Sequence, residues 1–451
     1  MVIQNNEESY IEPSIWSIYG LKKNPFTTDP ILVNEGFLPL EAFVGREDEI
    51  KRLNTILRMG DGTRTIVTGD TGVGKTTLVN FIRGNAIKTK RFFTHLKEIE
   101  VGENWSPNDF IAHTLSNIYN TINRVGLKEF PESLRKRLSY LFDIIELSSS
   151  SFSVSVLGNG VGYNNSRQSN QPKITTELLK SLFKATIEEI IKLGFEQVIL
   201  HYNNLENISK EKLVRLFIGL RDFLQNDKVH FIFVGGEPFP SAIYEEDKVR
   251  SIFVYGNIEL PVFKYEEIIE ILEKRMKYLS FENMRIFKPY ENETIKELNK
   301  IHEGNIRDIL NSLSVAMIEL ISQSPNEPVI LTKNKVRGIL KDVLKKRYLS
   351  RMSETDILVL KEILKLGETT NSEIAKNLEK QKQNISKNLK KLRRLKAIKI
   401  KKIGVGKIIK VSAEIRWMDL EEEVKPKKEI AEKKIKENTQ KLLDTWIEEV
   451  K

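Results

Sequence analysis

The chain contains one stretch that decides its fold, Thr65-Ile66-Val67-Thr68-Gly69-Asp70-Thr71-Gly72-Val73-Gly74-Lys75-Thr76-Thr77. It carries the complete pattern G-x-x-x-x-G-K-[ST] between an apolar run typical of a buried strand and a stretch with helical periodicity. Glycines in such a loop let backbone N–H groups close around phosphates, and the start of the helix adds its positive end. We therefore predict a nucleotide site at residues 69–77, with Lys75 on the β- and γ-phosphates and Thr76 on magnesium.

Composition limits the classes of protein to which the chain can belong. Its 451 residues allow roughly two to four domains, and 40% hydrophobic residues are enough for buried cores. The absence of cysteine excludes disulfides, cysteine nucleophiles and thiolate metal sites, and the five scattered histidines lack the spacing of a zinc site. Because no apolar run is as long as a membrane span and Met1–Tyr10 is polar, we expect a cytoplasmic protein without membrane contact.

Apolar runs separated by helical periodicity predict an α/β fold. The runs are Arg64–Gly69, His95–Val101, Gln197–Tyr202, Val229–Gly235 and Ile252–Leu260. Continuous apolar runs of this length are typical of parallel strands that are buried on both faces. We therefore predict a parallel sheet covered by helices.

Changes in composition predict five sections. They are an irregular lead-in at 1–40, an α/β core at 41–262, a helical region at 263–350, a small domain at 351–417 and a charged helical tail at 418–451. Within the core, residues 148–172 are rich in Ser, Asn and Gly. Two interpretations of this insertion are open, a flexible loop or a β-hairpin that contacts DNA or a neighbouring subunit.

Three further motifs, together with the glycine-rich loop, resemble a known family. They are Val44-Gly45-Arg46-Glu47 upstream, and Leu260-Pro261 and Gly304-Asn305-Ile306-Arg307 downstream. In this order they resemble the AAA+ ATPases over roughly residues 15–345, most closely the branch of origin-recognition and replication-initiator proteins. The resemblance implies a P-loop AAA+ parallel sheet with a helical lid, and self-association through the AAA+ core.

The resemblance also implies roles for single residues. Val44, Gly45 and Arg46 would border the adenine. Arg307 would be the sensor-2 arginine, whose planar charged fork suits the γ-phosphate, and its alternative is a surface salt bridge with Asp308 or Glu303. Arg250 lies where such ATPases carry an arginine finger into a neighbour's site, although other surface arginines would fit equally well.

The chain departs from the family pattern where catalytic acids are expected. Asn203 and Asn204 stand at the positions of the Asp that orders magnesium and the Glu that activates water. Asn203 keeps an oxygen that could contact the metal ion, but neither amide can act as a base. We therefore expect weak hydrolysis. Two carboxylates are candidate substitutes: Glu237, at the end of the sensor strand that we expect between the other two, and Glu206, the weaker candidate, farther along its loop.

Positive charge is concentrated in one C-terminal segment. The chain has 72 Lys and Arg against 62 Asp and Glu, a net charge of +10, and Gln381–Lys410 alone contains ten Lys, two Arg and no acid. Helical periodicity, a helix from Gln383 to Leu395 and two strands around Gly404-Val405-Gly406 resemble a winged helix-turn-helix domain over about 352–415. The alternative, a winged helix used for protein contact, would leave these cations without a counter-charge.

The winged-helix resemblance implies a set of DNA-binding residues. Short polar side chains at the start of the recognition helix suit base edges and phosphates, and the cations suit phosphates. The set is Gln383, Asn384, Ser386, Lys387, Lys390, Lys391, Arg393, Arg394, Lys401, Lys402 and Lys407.

The sequence thus predicts an AAA+ protein that binds ATP and Mg²⁺ and holds double-stranded DNA through its winged helix, with nucleotide controlling assembly or the hold on DNA. Three alternatives are open. The first is a hydrolysing remodeller or loader on DNA. The second is a signalling or defence switch that oligomerises and recruits an effector. The third is a regulator of transposition or plasmid maintenance, with a replication or transposition protein as partner.

Overall fold

The computed structural model describes residues 14–33, 36–150, 175–253, 256–324, 327–403 and 406–418. Within these ranges no helix is both long enough and apolar enough to cross a membrane. The predicted insertion lies outside the described residues from 151 onward, and so does the predicted tail from 419 onward. The chain forms two compact units, Met1–Phe287 with Gly304–Asn311, and Lys288–Glu303 with Ser312–Lys451.

The first unit is built on a parallel sheet. Its strands are β1 (Arg64–Thr68), β2 (Phe92–Thr94), β3 (Ile99–Glu100), β4 (Gln197–Asn203), β5 (Val229–Val234) and β6 (Asn257–Glu259). Their order is β2-β4-β5-β1-β6, with β3 also paired to β4. Every pair is parallel, and the expected position of β5 between β1 and β4 is confirmed. The carboxyl ends of β1, β4 and β5 therefore meet at one edge of the sheet.

Helices cover both faces of this sheet. They are α1 (Glu47–Leu57), α2 (Lys75–Thr89), α3 (Pro107–Val125), α4 (Glu132–Ser150), α5 (Thr176–Lys192), α6 (Lys210–Leu220), α7 (Phe239–Tyr244), α8 (Asp247–Arg250) and α9 (Tyr265–Leu279). Alternate strand residues enter two apolar clusters: Phe231 and Phe233 pack with α3 and α6, whereas Ile232 and Val234 pack with α1 and α2. This two-sided burial explains why the strands appear as continuous apolar runs in the sequence.

One predicted strand was placed wrongly. The sequence suggested His95–Val101, but β2 ends at Thr94, and only Ile99–Glu100 returns to the sheet. Thr94 pairs with Ile199, and Ile99 pairs with Tyr202. The four residues 95–98 therefore form a bulge opposite only two residues of β4, 200 and 201. The His95 ring fills the gap, because its Nε2 accepts the His201 backbone N–H at 2.8 Å. The His95 side chain thus takes the place of a main-chain acceptor for the His201 N–H. Strand propensity in the sequence does not predict this kind of hydrogen bond.

The second unit contains the predicted small C-terminal domain. Its helices are α10 (Asn292–His302), α11 (Ile306–Gln323, which begins in the first unit), α12 (Lys333–Tyr348), α13 (Glu354–Leu366), α14 (Asn371–Asn377) and α15 (Lys382–Arg394). Strands β7 (Glu368–Thr369), β8 (Ile398–Ile403) and β9 (Gly406–Val411) form an antiparallel sheet in the order β7-β9-β8. Three helices and this sheet confirm the expected winged-helix class. The sequence analysis missed β7, which is only two residues long.

Candidate functional site

A cavity of about 300 Å³ opens at the carboxyl edge of the parallel sheet. Seven separate parts of the first unit line it: the lead-in, the segment before α1, the glycine-rich loop, the region of β3, the end of β4, the region around α9 and the start of α11. The lining residues include Thr28, Asp29, Ile31, Val44, Thr71, Gly72, Gly74, Lys75, Thr76, Thr77, Glu98, Glu100, Asn203, Asn204, Glu206, Phe263, Arg275, Arg307 and Leu310. The cavity therefore contains most of the residues that the sequence predicted for nucleotide binding.

Lys75 is the buried cation of the glycine-rich loop. Lys75 is the first residue of α2 and is only 7% exposed. Its Nζ donates to the Gly69 and Asp70 carbonyls at 2.9 Å each. Burial lowers the pKa of Lys75, and the nearby Glu206 carboxylate acts in the opposite direction. The ammonium is thus held at the glycine-rich loop, where a phosphate would offer it charged oxygens in place of carbonyls.

The loop closes against the start of α11. A Cβ on Gly72 would lie 2.5 Å from Asn305 Oδ1 and 2.8 Å from Arg307 Cβ, so only glycine permits this approach. Asn305 Nδ2 donates to the Thr71 carbonyl at 2.7 Å, and Asn305 Oδ1 accepts the Asp308 backbone N–H at 3.2 Å. One amide therefore fixes the first turn of α11 to the loop, a contact that the sequence analysis did not predict.

Arg307 is exposed and lines the cavity. Its positive charge lies close enough to Lys75 to lower the pKa of that ammonium, although burial and the Glu206 carboxylate have larger effects. The alternative partner Glu303 is engaged elsewhere, since Arg416 Nη2 lies 2.9 Å from its Oε1. Two cations thus converge on the cavity from α2 and α11, an arrangement suited to phosphate oxygens.

The residues expected to hold magnesium lie side by side. Thr76 Oγ1 donates to Asn203 Oδ1 at 3.3 Å, which joins the start of α2 to the end of β4. Oxygen donors suit Mg²⁺, which commonly keeps several waters and takes only one or two protein ligands together with phosphate oxygens. In the described ranges no three His, Asp or Glu residues form a metal-binding cluster. The two oxygens of Thr76 and Asn203 therefore suit a Mg²⁺ ion that is also bound by nucleotide phosphates. They are too few for a metal ion bound by protein side chains alone.

The two candidate acids differ sharply in position. Glu206 lines the cavity, and its Oε2 is buried without a hydrogen-bond partner among the described residues. Glu237 is exposed, does not line the cavity, and accepts a hydrogen bond from Ser241 Oγ at 2.7 Å. The contacts therefore favour Glu206 over Glu237, opposite to the order expected from the sequence. The expectation rested on strand order alone and did not foresee the turn that follows β4.

The residues predicted to border the adenine are divided between lining and supporting positions. Val44 lines the cavity, whereas Arg46 is buried behind it and donates from Nη2 to the Val73 carbonyl at 3.1 Å and the Pro261 carbonyl at 2.6 Å. The Arg46 guanidinium also lies 4.0 Å from the centroid of the Phe263 ring. Gly45 is likewise not among the lining residues. Arg46 thus supports the glycine-rich loop from outside the cavity.

Arg275 is a further residue of the site that the sequence analysis missed. It is buried on α9, and its Nη1 donates to the Pro25 carbonyl at 2.9 Å and the Thr27 carbonyl at 2.6 Å. Burial lowers the pKa of Arg275 to about 10. Arg275 thereby holds the lead-in as one wall of the cavity. The available signal was an arginine within the apolar stripe of Ile268, Leu272 and Met276.

Comparison with known proteins gives similarity to solved structures alone, since no family model and no curated protein matches the chain. The ORC2 protein of Aeropyrum pernix (ADPNP–ADP complexes) is 15% identical over 88% of this chain and 96% of that one, with a TM-score of 0.46. The ORC1 protein of the same organism, in complex with DNA, is 15% identical over 87% and 95%, with a TM-score of 0.43. Cdc6p from Pyrobaculum aerophilum is 14% identical over 90% and 100%, with a TM-score of 0.44.

The chain has the AAA+ fold. Its own topology shows this, because the strand that feeds the glycine-rich loop, β1, is flanked by β5 and β6, with β4 beyond β5. Within this AAA+ unit Arg250 is exposed at the end of α8, lies 2.6 Å from Asp247 and does not line the cavity. Its predicted role as an arginine finger concerns a neighbouring protomer and stays a prediction.

The winged helix presents one strongly basic helix, α15. Ile385, Leu389 and Leu392 bury one side of α15. The exposed residues of α15 are Lys382, Gln383, Asn384, Lys387, Lys390, Lys391, Arg393 and Arg394. Among the described residues, Lys382, Lys387, Lys390, Arg393 and Arg394 form no salt bridge. Lys407 is exposed on β9, whereas the side chains of Lys401 and Lys402 lie outside the described set.

Two predicted DNA-binding residues are engaged inside the domain. Lys391 Nζ lies 2.5 Å from Oδ2 of Asp356, a carboxylate that is only 1% exposed. Ser386 Oγ accepts a hydrogen bond from Asn371 Nδ2 at 2.7 Å. Both contacts tie α15 to the preceding helices. Lys391 and Ser386 therefore have a structural task that their position in the sequence did not reveal.

Proposed function

We propose that the chain is an AAA+ protein that binds ATP with Mg²⁺ and holds double-stranded DNA through its winged helix, with nucleotide controlling self-assembly or the hold on DNA. The observation that supports the proposal best is the glycine-rich loop, which packs against the start of α11 and borders the cavity. Lys75 and Arg307 converge on its cavity, and Thr76 and Asn203 place two oxygen donors beside it. Two cations and a magnesium-compatible pair are what a nucleoside triphosphate requires.

DNA binding is supported by the charge on α15. Five cations of α15 form no salt bridge with another described residue, and the exposed amides of Gln383 and Asn384 lie at the start of the same helix. Amides can read base edges and cations can meet phosphates, so this face suits a major groove. Assembly through the AAA+ core would let the exposed Arg250 reach a neighbour's cavity.

Slow hydrolysis is supported by the chemistry at the end of β4. Neither Asn203 nor Asn204 can take a proton from water, and an amide attracts a metal ion less strongly than a carboxylate does. We therefore expect a turnover below about 1 s⁻¹, the lower end of ordinary enzymes. ATP would then act mainly as a ligand that favours assembly.

Titration calorimetry of ATP with Lys75→Ala tests the site directly. Because Lys75 is a buried cation held at the glycine-rich loop, we expect the affinity for ATP to fall at least about a hundredfold, equivalent to roughly 2.7 kcal/mol. The exposed Lys51 on α1 supplies the control, Lys51→Ala, which should bind as the wild type does. Unchanged ATP binding by a folded Lys75→Ala chain would contradict the proposal. Light scattering with ATP, ADP and DNA in turn then reports assembly, which we expect with ATP.

A further inference from the structure

The turn after β4 brings a carboxylate to the cavity. Strand β4 ends in Asn203, and Asn204 then adopts φ 66°, a left-handed conformation that asparagine tolerates better than most residues. This turn leads into a short 3₁₀ segment, Leu205–Asn207, which carries Glu206 to the cavity. Asn204 therefore serves as a turn residue, and a carboxylate follows it two positions later.

The end of β5 leaves room for that turn. A Cβ on Gly235 would lie 3.1 Å from Leu205 Cβ and 3.2 Å from the Glu206 backbone nitrogen. A Cβ on Gly236 would lie 3.9 Å from Glu206 Cβ and 3.4 Å from the Gly69 carbonyl oxygen. Glu206 thus lies between the end of β5 and the glycine-rich loop. The two glycines that follow β5 and the turn that carries Glu206 thus belong to one packing arrangement.

The Glu206 carboxylate has an unused acceptor. Its Oε2 is buried, and no described residue donates a hydrogen bond to it. A buried acceptor without a donor is unfavourable, so a water molecule in the cavity that donates to Glu206 Oε2 would stabilise it. The cavity also contains Glu98 and Glu100, but these come from beside and within β3, on the far side of β4 from the loop. Glu206 is therefore the best placed of the three.

We propose that Glu206 is the catalytic base of a slow ATPase, an inference that rests on the proposed ATP site. Glu206 accepts one proton from the water whose oxygen bonds to the γ-phosphorus. The bond between that phosphorus and the β–γ bridging oxygen breaks, and its electron pair leaves with ADP. The products are ADP and inorganic phosphate, and the proton on Glu206 passes to solvent. The rate stays low because Asn203 supplies no negative charge.

The test compares Glu206→Gln with two controls in the full chain, Glu237→Gln and Glu211→Gln on α6, whose side chains are exposed and do not line the cavity. Calorimetry with a non-hydrolysable ATP analogue comes first. Glutamine removes a negative charge that faces the phosphates, so we expect Glu206→Gln to bind the analogue about threefold to tenfold more tightly. Single-turnover phosphate release then follows with protein in excess. We expect Glu206→Gln to lose a hundredfold or more in rate and both controls to match the wild type.

Several results would overturn the assignment. They are phosphate release by Glu206→Gln at the wild-type rate, a wild type that binds the analogue yet releases no phosphate, or a loss shared equally by Glu237→Gln. If Glu206→Gln fails to bind the analogue, Glu206→Asp replaces it and must retain part of the rate, because it keeps a carboxylate. Failure of the wild type to bind the analogue would instead refute the ATP site itself, and calorimetry alone reveals that result.

Discussion

Asn305 shows how one side chain can connect nucleotide binding to a helix. Its Nδ2 donates to the Thr71 carbonyl of the glycine-rich loop, and its Oδ1 accepts the Asp308 N–H in the first turn of α11. Because donor and acceptor are used in opposite directions, the amide cannot be flipped without losing both bonds. Arg307 follows two residues later, so its approach to the cavity depends on this amide.

We expect Asn305→Ala to lower ATP affinity about tenfold, because loss of one fixed contact on this scale is worth about 1.4 kcal/mol. Asn305→Asp keeps an acceptor for Asp308 but sets a negative oxygen against the Thr71 carbonyl. Its affinity should therefore fall further, while stability in urea falls less than in Asn305→Ala. Calorimetry and urea denaturation measure the two effects, and wild-type ATP affinity in Asn305→Ala would contradict this role.

Residues of the site differ in how far sequence could predict them. Lys75, Thr76 and Arg307 were predicted because a local motif or a family resemblance fixes their place. Arg275, Asn305 and the preference for Glu206 were not predicted, because each depends on a contact between segments far apart in the chain. Arg275 reaches the lead-in some 250 positions away, and no local pattern records such a partner.

At the scale of elements, α15 combines a buried anchor with an exposed basic face. Burial alone would raise the pKa of Asp356, but hydrogen bonds from Lys391, Asn388 and Ser353 outweigh it and lower the pKa to about 2. The carboxylate that caps α13 therefore stays charged and holds α15 in place. Lys391 thus stabilises the packing of α15, whereas the neighbouring exposed cations Lys390, Arg393 and Arg394 could contact phosphates.

DNA affinity should accordingly depend on some cations of α15 more than on others. If about six cations meet phosphates, log K falls with log[salt] at a slope of about −5. The double variant Lys387→Ala, Lys390→Ala should reduce that slope to about −3, since each lost contact removes about 0.9. Fluorescence anisotropy of a labelled duplex over a salt series measures it, with Lys335→Ala on α12 as control. An unchanged slope would place the DNA surface elsewhere.

Element prediction worked where one pattern dominated. Strands β1, β4 and β5 are buried on both faces, so their apolar runs were visible, and the stripe on α15 matched its core residues. The interruption between β2 and β3 was missed, because a histidine ring replaces a main-chain acceptor there. Strand β7 was missed because two residues carry no periodicity.

At the scale of the whole molecule, buried histidines make the folded state less stable as the pH falls. Burial lowers the pKa of His230 to about 4, and burial with the nearby Lys399 charge does the same for His302. Gln197 Nε2 donates to the Gly60 carbonyl, so its Oε1 faces His230 Nε2 at 2.7 Å and that ring nitrogen carries a proton. The unfolded chain binds these protons near pH 6.5, so stability falls as pH drops from about 6.5 towards 4.

We expect His230 to account for about 2 kcal/mol of the stability lost between pH 7 and pH 5, from a pKa of about 6.5 unfolded and about 4 folded. His230→Gln should be less stable at pH 7, because it leaves Thr63 or Gln197 poorly bonded. Its further loss on going to pH 5 should be smaller than that of the wild type by this amount. Urea denaturation followed by circular dichroism measures both, and identical pH dependence would exclude the role.

The cavity also has a consequence for the order in which the protein matures. Its walls come from residues as early as Thr28 and as late as Leu310. A chain still leaving the ribosome therefore lacks a wall until nearly seven-tenths of its length has been made. Sites assembled from such distant segments form late in folding, and a ligand that binds the finished site alone stabilises the native state by mass action. Cellular nucleotide would thus act as a clamp that retains chains once their first unit is complete.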